Sequence, residues 1–127
     1  KVPAQFAVRA ALSGVQTVAA LIAPRGRLHE QRDAAWKGLE AIPGVSCVKP
    51  AGALYAFPRL DPTVHEIRDD AKLVYDLLVA EHLLLVQGTG FNWPNHDHLR
   101  IVTLPEARVI TEAIERMGNF LSSYKQK

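Results

Sequence analysis

Cysteine is almost absent: Cys47 stands alone among 127 residues, so no disulfide framework holds this chain. In its "VSCVK" setting the thiol reads as a small buried hydrophobe of a cytoplasmic protein. Long hydrophobic runs are missing as well. The longest, residues 15–24, is broken by Gln16 and Thr17 and is too short to cross a bilayer. No secretory leader pattern is visible. An excess of one charge sign is also lacking, with 15 Lys and Arg against 13 Asp and Glu. The basic residues Arg25, Arg27, Arg32, Lys37, Lys72, Arg108 and Arg116 are dispersed among acids. That excludes the clustered basic face that nucleic acid requires. Ser13, Ser46, Ser122 and Ser123 lie in no nucleophile-elbow context.

What is present is an ordinary globular balance, 48% hydrophobic and 22% charged. The length fits one domain, residues 1–127, with enough chain to bury a core without staples. The chain opens on Lys1 without an initiator methionine and runs at once into helical pattern. It reads as a cut through a longer chain.

Pro3 suits a first helical turn, Phe6, Ala7, Ala10 and Ala11 follow at helical spacing, and Gly14 is a stop. A second short helix is predicted over residues 15–22, ended by Pro24 and Gly26. A third is predicted over residues 27–42, with Leu28, Ala35, Trp36, Leu39 and Ile42 on one stripe and Pro43-Gly44 after it. The period then changes. Residues 45–48 and 54–57 read as strands separated by a turn at "PAG", and residues 60–68 read as loop. Asp69 or Asp70 caps a helix carrying Leu73, Val74, Leu77 and Leu78. The run "LLLV" at 83–86 predicts a strand buried on both faces, and residues 99–104 the last strand. Pro105 and Glu106 open a long helix striped by Ile110, Ala113, Ile114, Met117, Phe120, Leu121 and Tyr124. About four short strands covered by helices define an α/β fold, an α+β sandwich.

One residue resists this plan. Arg100 stands inside "LRIVTL" with apolar neighbours on both sides. A guanidinium is costly to bury alone. Three placements are open: on a solvent face, beside a buried carboxylate, or waiting for a carboxylate or phosphate ligand held by two parallel hydrogen bonds. Upstream, Gly88 and Gly90 bracket Thr89. They permit a tight turn or close approach of a ligand to the backbone. Position 93 is Trp, so the dinucleotide fingerprint fails. His96, Asp97 and His98 have no matched partner pair, so they read as polar loop and no metal site is assigned. Asp69 and Asp70 read as helix-capping groups, and Cys47 shows no sign of activation.

The segments "VPAQFA", "GRLHEQRDAAW", "IPGVSCVKPAGALYAFPRLD", "QGTGFNWPNHDHLRIVTLP" and "AIERMGNFL" span nearly the whole chain in order. Together the sequence resembles the C-terminal end of bacterial alanine aminotransferases, fold-type I enzymes dependent on pyridoxal phosphate (PLP). The resemblance implies a small C-terminal domain, with residues 1–23 as interdomain linking helices and the large PLP-binding domain lying outside this chain. It implies that Arg100, in "HLRIVTLP", binds the α-carboxylate of the amino-acid substrate. It implies an amino group moved between an amino acid, alanine or glutamate, and a 2-oxo acid by a cytoplasmic homodimer.

The same resemblance requires a lysine for the Schiff base. Lys1, Lys37, Lys49, Lys72, Lys125 and Lys127 lie outside the family's Ser-x-x-Lys context. No catalytic and no cofactor-binding residue is therefore assigned here, and this chain alone is expected to be inactive and to hold no PLP. His96 stands where relatives often have proline. Tyr55, Gly88, Gly90 and Asn92 receive no direct role. An open face at Val2, Phe6 and "FNW" is expected to promote self-association. The competing readings are an aspartate aminotransferase of the same family, a stand-alone amino-acid-binding regulatory domain, and an interaction module using residues 3–12.

Overall fold

The computed structural model describes residues 2–14 and 17–126. Three helices come first: α1 (Val2–Ser13), α2 (Thr17–Ile22) and α3 (Arg27–Glu40). Gly14 closes α1 with a hydrogen bond to the Ala10 carbonyl at 2.9 Å. The helix expected over residues 15–22 is present from Thr17, and residues 15 and 16 lie outside the described residues. The expected stripe of α3 turns inward: Ala35 and Leu39 are fully buried, followed by Ile42 just past its end. Gly44 then reverses the chain at φ +75°, a conformation that favours glycine. An added Cβ there would stand 2.7 Å from Val64.

The strands are short: β1 (Val45–Ser46), β2 (Tyr55–Ala56), β3 (Arg59–Leu60), β4 (Val86–Gln87) and β5 (Leu99–Val102). That makes five among the described residues, where the sequence pattern predicts about four. The additional one is β3, whose Leu60 was expected in a loop. Leu60 is buried opposite Val45 in an antiparallel pair with β1. Its amide donates to the Asp97 carbonyl at 2.7 Å, and the Asp61 amide to the Gly44 carbonyl at 2.7 Å. These long-range bonds make a strand that local pattern does not show.

The second sheet has the order β2-β5-β4, antiparallel throughout. Its central strand alternates as pleating requires: Leu99 and Ile101 are buried, whereas Arg100 and Val102 face the other way. The run at 83–86 is not a strand buried on both faces. Only Val86 of the four enters β4, Leu84 is 75% exposed, and β4 is an edge strand. Burial on both faces needs helices on both sides of the sheet. Here the side carrying Arg100, Val102 and Tyr55 is left partly open.

Two helices complete the fold, α4 (Asp70–Glu81) after β3 and α5 (Ala107–Ser123) after β5. Leu73, Val74 and Leu77 of α4 and Ile110, Ile114, Met117 and Leu121 of α5 are buried, whereas Leu78, expected on the same stripe of α4, is exposed at the edge of the buried face. They meet Ala35 and Leu39 of α3 and the inner residues Ala56, Leu99 and Ile101 in one core. α3 and α5 cross closely, with Gly38 of α3 against Ile114 of α5 and Gly118 of α5 against Ile42 just past the end of α3. A Cβ on Gly38 would lie 3.1 Å from Ile114, and one on Gly118 would lie 3.2 Å from Ile42. The result is a mixed α/β domain with α3, α4 and α5 against one side of a small sheet. No single helix among the described residues is long and apolar enough to cross a membrane.

Candidate functional site

Arg100 sits on the central strand of the three-stranded sheet, opposite Val86 of β4. Its partly buried guanidinium lies between two aromatic faces, with Cζ 4.4 Å from the centroid of Phe91 and 4.9 Å from that of Tyr55. Such stacking suits the planar, weakly hydrated guanidinium. Tyr55 belongs to the neighbouring strand β2, opposite Val102. Phe91 ends the 3₁₀ turn Gly88–Phe91, which follows β4 directly. Among the described residues no carboxylate pairs with Arg100, and its buried Nε has no hydrogen-bond partner. Of the three placements left open by the sequence, the buried ion pair is thereby excluded within this part of the chain.

The glycines before Phe91 serve packing. Gly88 donates its amide to the His98 carbonyl at 2.8 Å, and a Cβ on Gly88 would stand 2.8 Å from that same oxygen. Glycine is therefore required by close approach of the turn to the chain entering β5. Gly90 is not so constrained, since a Cβ there would make ordinary contact with Gln87 at 3.5 Å. Asn92 closes the turn at φ +59°, in the left-handed region that asparagine tolerates.

The turn is tied to α4 by a residue whose role differs from the sequence expectation. Asp69 is the N-cap of α4, accepting from the Lys72 amide at 3.0 Å. Asp70, expected as a second capping group, is instead turned inward and 1% exposed. Its Oδ2 accepts from the Thr89 amide at 3.0 Å and its Oδ1 from the Thr89 hydroxyl at 2.8 Å. His96 Nδ1 lies 2.9 Å from the same Oδ1. Burial pushes the Asp70 carboxyl up, but the bonds from Thr89 and His96 outweigh it and hold it below the ordinary carboxylate range. Asp69, Asp70 and His96 come close enough to frame a cation. Asp69 is committed to its cap, Asp70 to Thr89 and His96, so the cluster is satisfied by hydrogen bonds.

A second carboxylate organises the other end of the loop. Asp97 Oδ1 accepts from Trp93 Nε1 at 3.0 Å and lies 2.7 Å from His98 Nδ1, while Oδ2 accepts from Arg59 Nε at 3.2 Å. His98 stacks on Phe57 at 4.8 Å between centroids and packs against Trp93 at 4.4 Å. The histidines of the H-x-H triplet thus face different carboxylates. Cys47 is buried and its thiol is pushed up by that burial, which suits a packing role.

A guanidinium under aromatic cover, on a sheet face left partly open, has the chemistry to take a carboxylate or a phosphate through two parallel hydrogen bonds. The chain belongs to the class I and II aminotransferases, whose family model matches residues 1–117. These are PLP-dependent enzymes. The chain is 65% identical over 125 residues to the alanine aminotransferase of Mycobacterium tuberculosis, a match covering 98% of this chain and 29% of that protein. It is 54% identical to the glutamate-pyruvate aminotransferase AlaA of Escherichia coli, over 98% of this chain and 31% of that protein. A crystal structure of an Escherichia coli aminotransferase superposes with a TM-score of 0.93 at 53% identity, covering 98% of this chain and 31% of that one. The chain therefore spans about three-tenths of the length of these relatives.

Two of the described lysines are held in ion pairs. Lys49 pairs with Asp33 at 3.1 Å and covers Trp36, and Lys72 pairs with Asp76 at 2.7 Å. Lys37 lies in the last turn of α3 and Lys125 beyond the end of α5. None belongs to the sheet face around Arg100.

Proposed function

We propose that this chain is the C-terminal small domain of an alanine aminotransferase that exchanges the amino group between alanine and glutamate through their 2-oxo acids. Its α1 and α2, within residues 1–23, are the link to a large domain that supplies the Schiff-base lysine and PLP. The identities to alanine and glutamate-pyruvate aminotransferases support this choice over an aspartate enzyme. The chain by itself neither holds PLP nor transaminates.

Arg100 is the substrate's carboxylate anchor in this reading. The observation that carries it is the guanidinium held by Phe91 and Tyr55 without an acidic partner among the described residues. PLP, when bound in the intact enzyme, supplies the carbonyl and electron sink. This chain's part is geometric. Two parallel hydrogen bonds from a fixed fork would set the rotation of the amino acid as well as its position.

The test is Arg100→Lys in the intact, PLP-loaded enzyme. Lysine keeps the charge but loses the two-pronged geometry. The KM for L-alanine should rise about tenfold to a hundredfold, given the strength of charge-assisted hydrogen bonds. PLP affinity should hold. An unchanged KM for L-alanine would reject the assignment.

A further inference from the structure

Arg100 is placed by its strand, but one of the two rings that hold it is not. Phe91 ends a four-residue 3₁₀ turn and is itself half-exposed, so no core packing fixes its position. What fixes the turn is polar. Among the described residues the Asp70 carboxylate is the side chain that bonds it from outside, taking both the amide and the hydroxyl of Thr89. Asp70 in turn belongs to the first turn of α4, whose Leu73, Val74 and Leu77 are sunk in the core. A chain of rigid contacts therefore runs from the core, through α4 and Asp70, to Thr89, and two residues on to Phe91 and the Arg100 guanidinium.

We propose that Asp70 is a positioning residue of the carboxylate site, which it serves by holding the Gly88–Phe91 turn, and with it Phe91, against Arg100. The proposal rests on the reading of Arg100 as the carboxylate anchor. Its chemistry explains why a buried carboxylate is used. Two hydrogen bonds to one ionised group fix the turn in distance and rotation, where a neutral acceptor would make weaker bonds. An active-site group needs such support from the shell behind it. Without Phe91 in place, the guanidinium gains side-chain freedom that must be removed when the substrate carboxylate binds. The loss should be read in KM, at about two- to tenfold, as for one side chain ordered on binding.

The experiment compares variants of the intact, PLP-loaded enzyme with L-alanine as the varied substrate. Thr89→Val removes the hydroxyl bond from the turn's side and leaves Asp70 in place. The KM for L-alanine should rise about two- to tenfold with kcat little changed. Thr89→Ser, which keeps the hydroxyl, should restore the wild-type KM. Asp70→Asn should raise KM in the same way wherever it folds. Phe91→Leu should also raise KM, and adding Thr89→Val to it should raise KM no further, because both changes act through the same ring.

A Thr89→Val enzyme with wild-type KM would overturn the proposal. So would a melting temperature lowered without a change in KM, which would mark a merely structural staple. So would full additivity with Phe91→Leu. Arg100→Gln separates the two claims. If it raises KM while Thr89→Val does not, the positioning role fails and the anchor stands. If Arg100→Gln itself leaves KM unchanged, the anchor fails and the positioning role falls with it.

Discussion

Asp69 and Asp70 are chemically identical neighbours, yet one caps a helix in solvent and the other is sealed inside. The difference is direction: at the N-terminus of α4 the first points along the helix start and the second across to Thr89. Tyr124 shows the same dependence on surroundings. Its hydroxyl donates to Asp76 Oδ2 at 2.7 Å, and burial together with that carboxylate pushes the phenol up to about 12. The folded pKa lies above the ordinary value of 10.0, so the protonated phenol favours the fold. That contribution is complete below pH 10.0 and is lost as pH rises through about 12. In an absorbance titration of the phenolates, one of the 3 tyrosines should ionise late, near pH 12. Asp76→Asn should move that late step down toward 10.0. A late step that does not move in Asp76→Asn, or is absent from the wild-type chain, would contradict the assignment to Tyr124.

At the scale of elements, the helices were legible and the strands only in part. α3, α4 and α5 each carry an apolar stripe that decides their buried face from within one stretch of sequence. The two-residue strands have no such signal. β3 exists because Leu60 finds Val45 and because Asp97 reaches its amide from 37 positions away, and neither fact is local. The same holds at the site. Arg100 stood out as a charge in an apolar run, whereas Asp70 looked like one more cap because Thr89 and His96 lie 19 and 26 positions off. The paired glycines of α3 and α5 were also silent in the sequence. Glycine inside a helix costs about 1 kcal/mol relative to alanine, so Gly38 and Gly118 are explained by the close crossing they permit. Gly38→Val would drive two methyls into Ile114 and should destabilise the fold by about 1–3 kcal/mol. Chemical denaturation checks it, and an unchanged midpoint would show that the crossing has room.

The whole molecule buries one face of its sheet and leaves much apolar surface elsewhere. α1 has no buried residue, and Phe6 and Leu12 are 79% and 76% exposed. A helix of 12 residues is marginal in water without packing. α1 therefore buries none of its side chains within the described residues. On the sheet, Tyr55, Phe91 and Val102 leave the Arg100 face partly apolar and accessible. Two such surfaces on one small domain exceed what a monomer keeps in water. Expressed alone, the 127-residue chain should associate reversibly as its concentration rises, and sedimentation velocity should show the shift. Placing charge on the first surface with Phe6→Glu and Val8→Glu, both at exposed positions, should push the equilibrium back toward monomer while leaving the core helices folded. Association that survives both charges would move the contact to the Arg100 face, where Phe91→Glu would then be the disruptive change. A chain that stays monomeric at every concentration would mean that α1 folds back over its own apolar residues, and the exposed helix would be wrong.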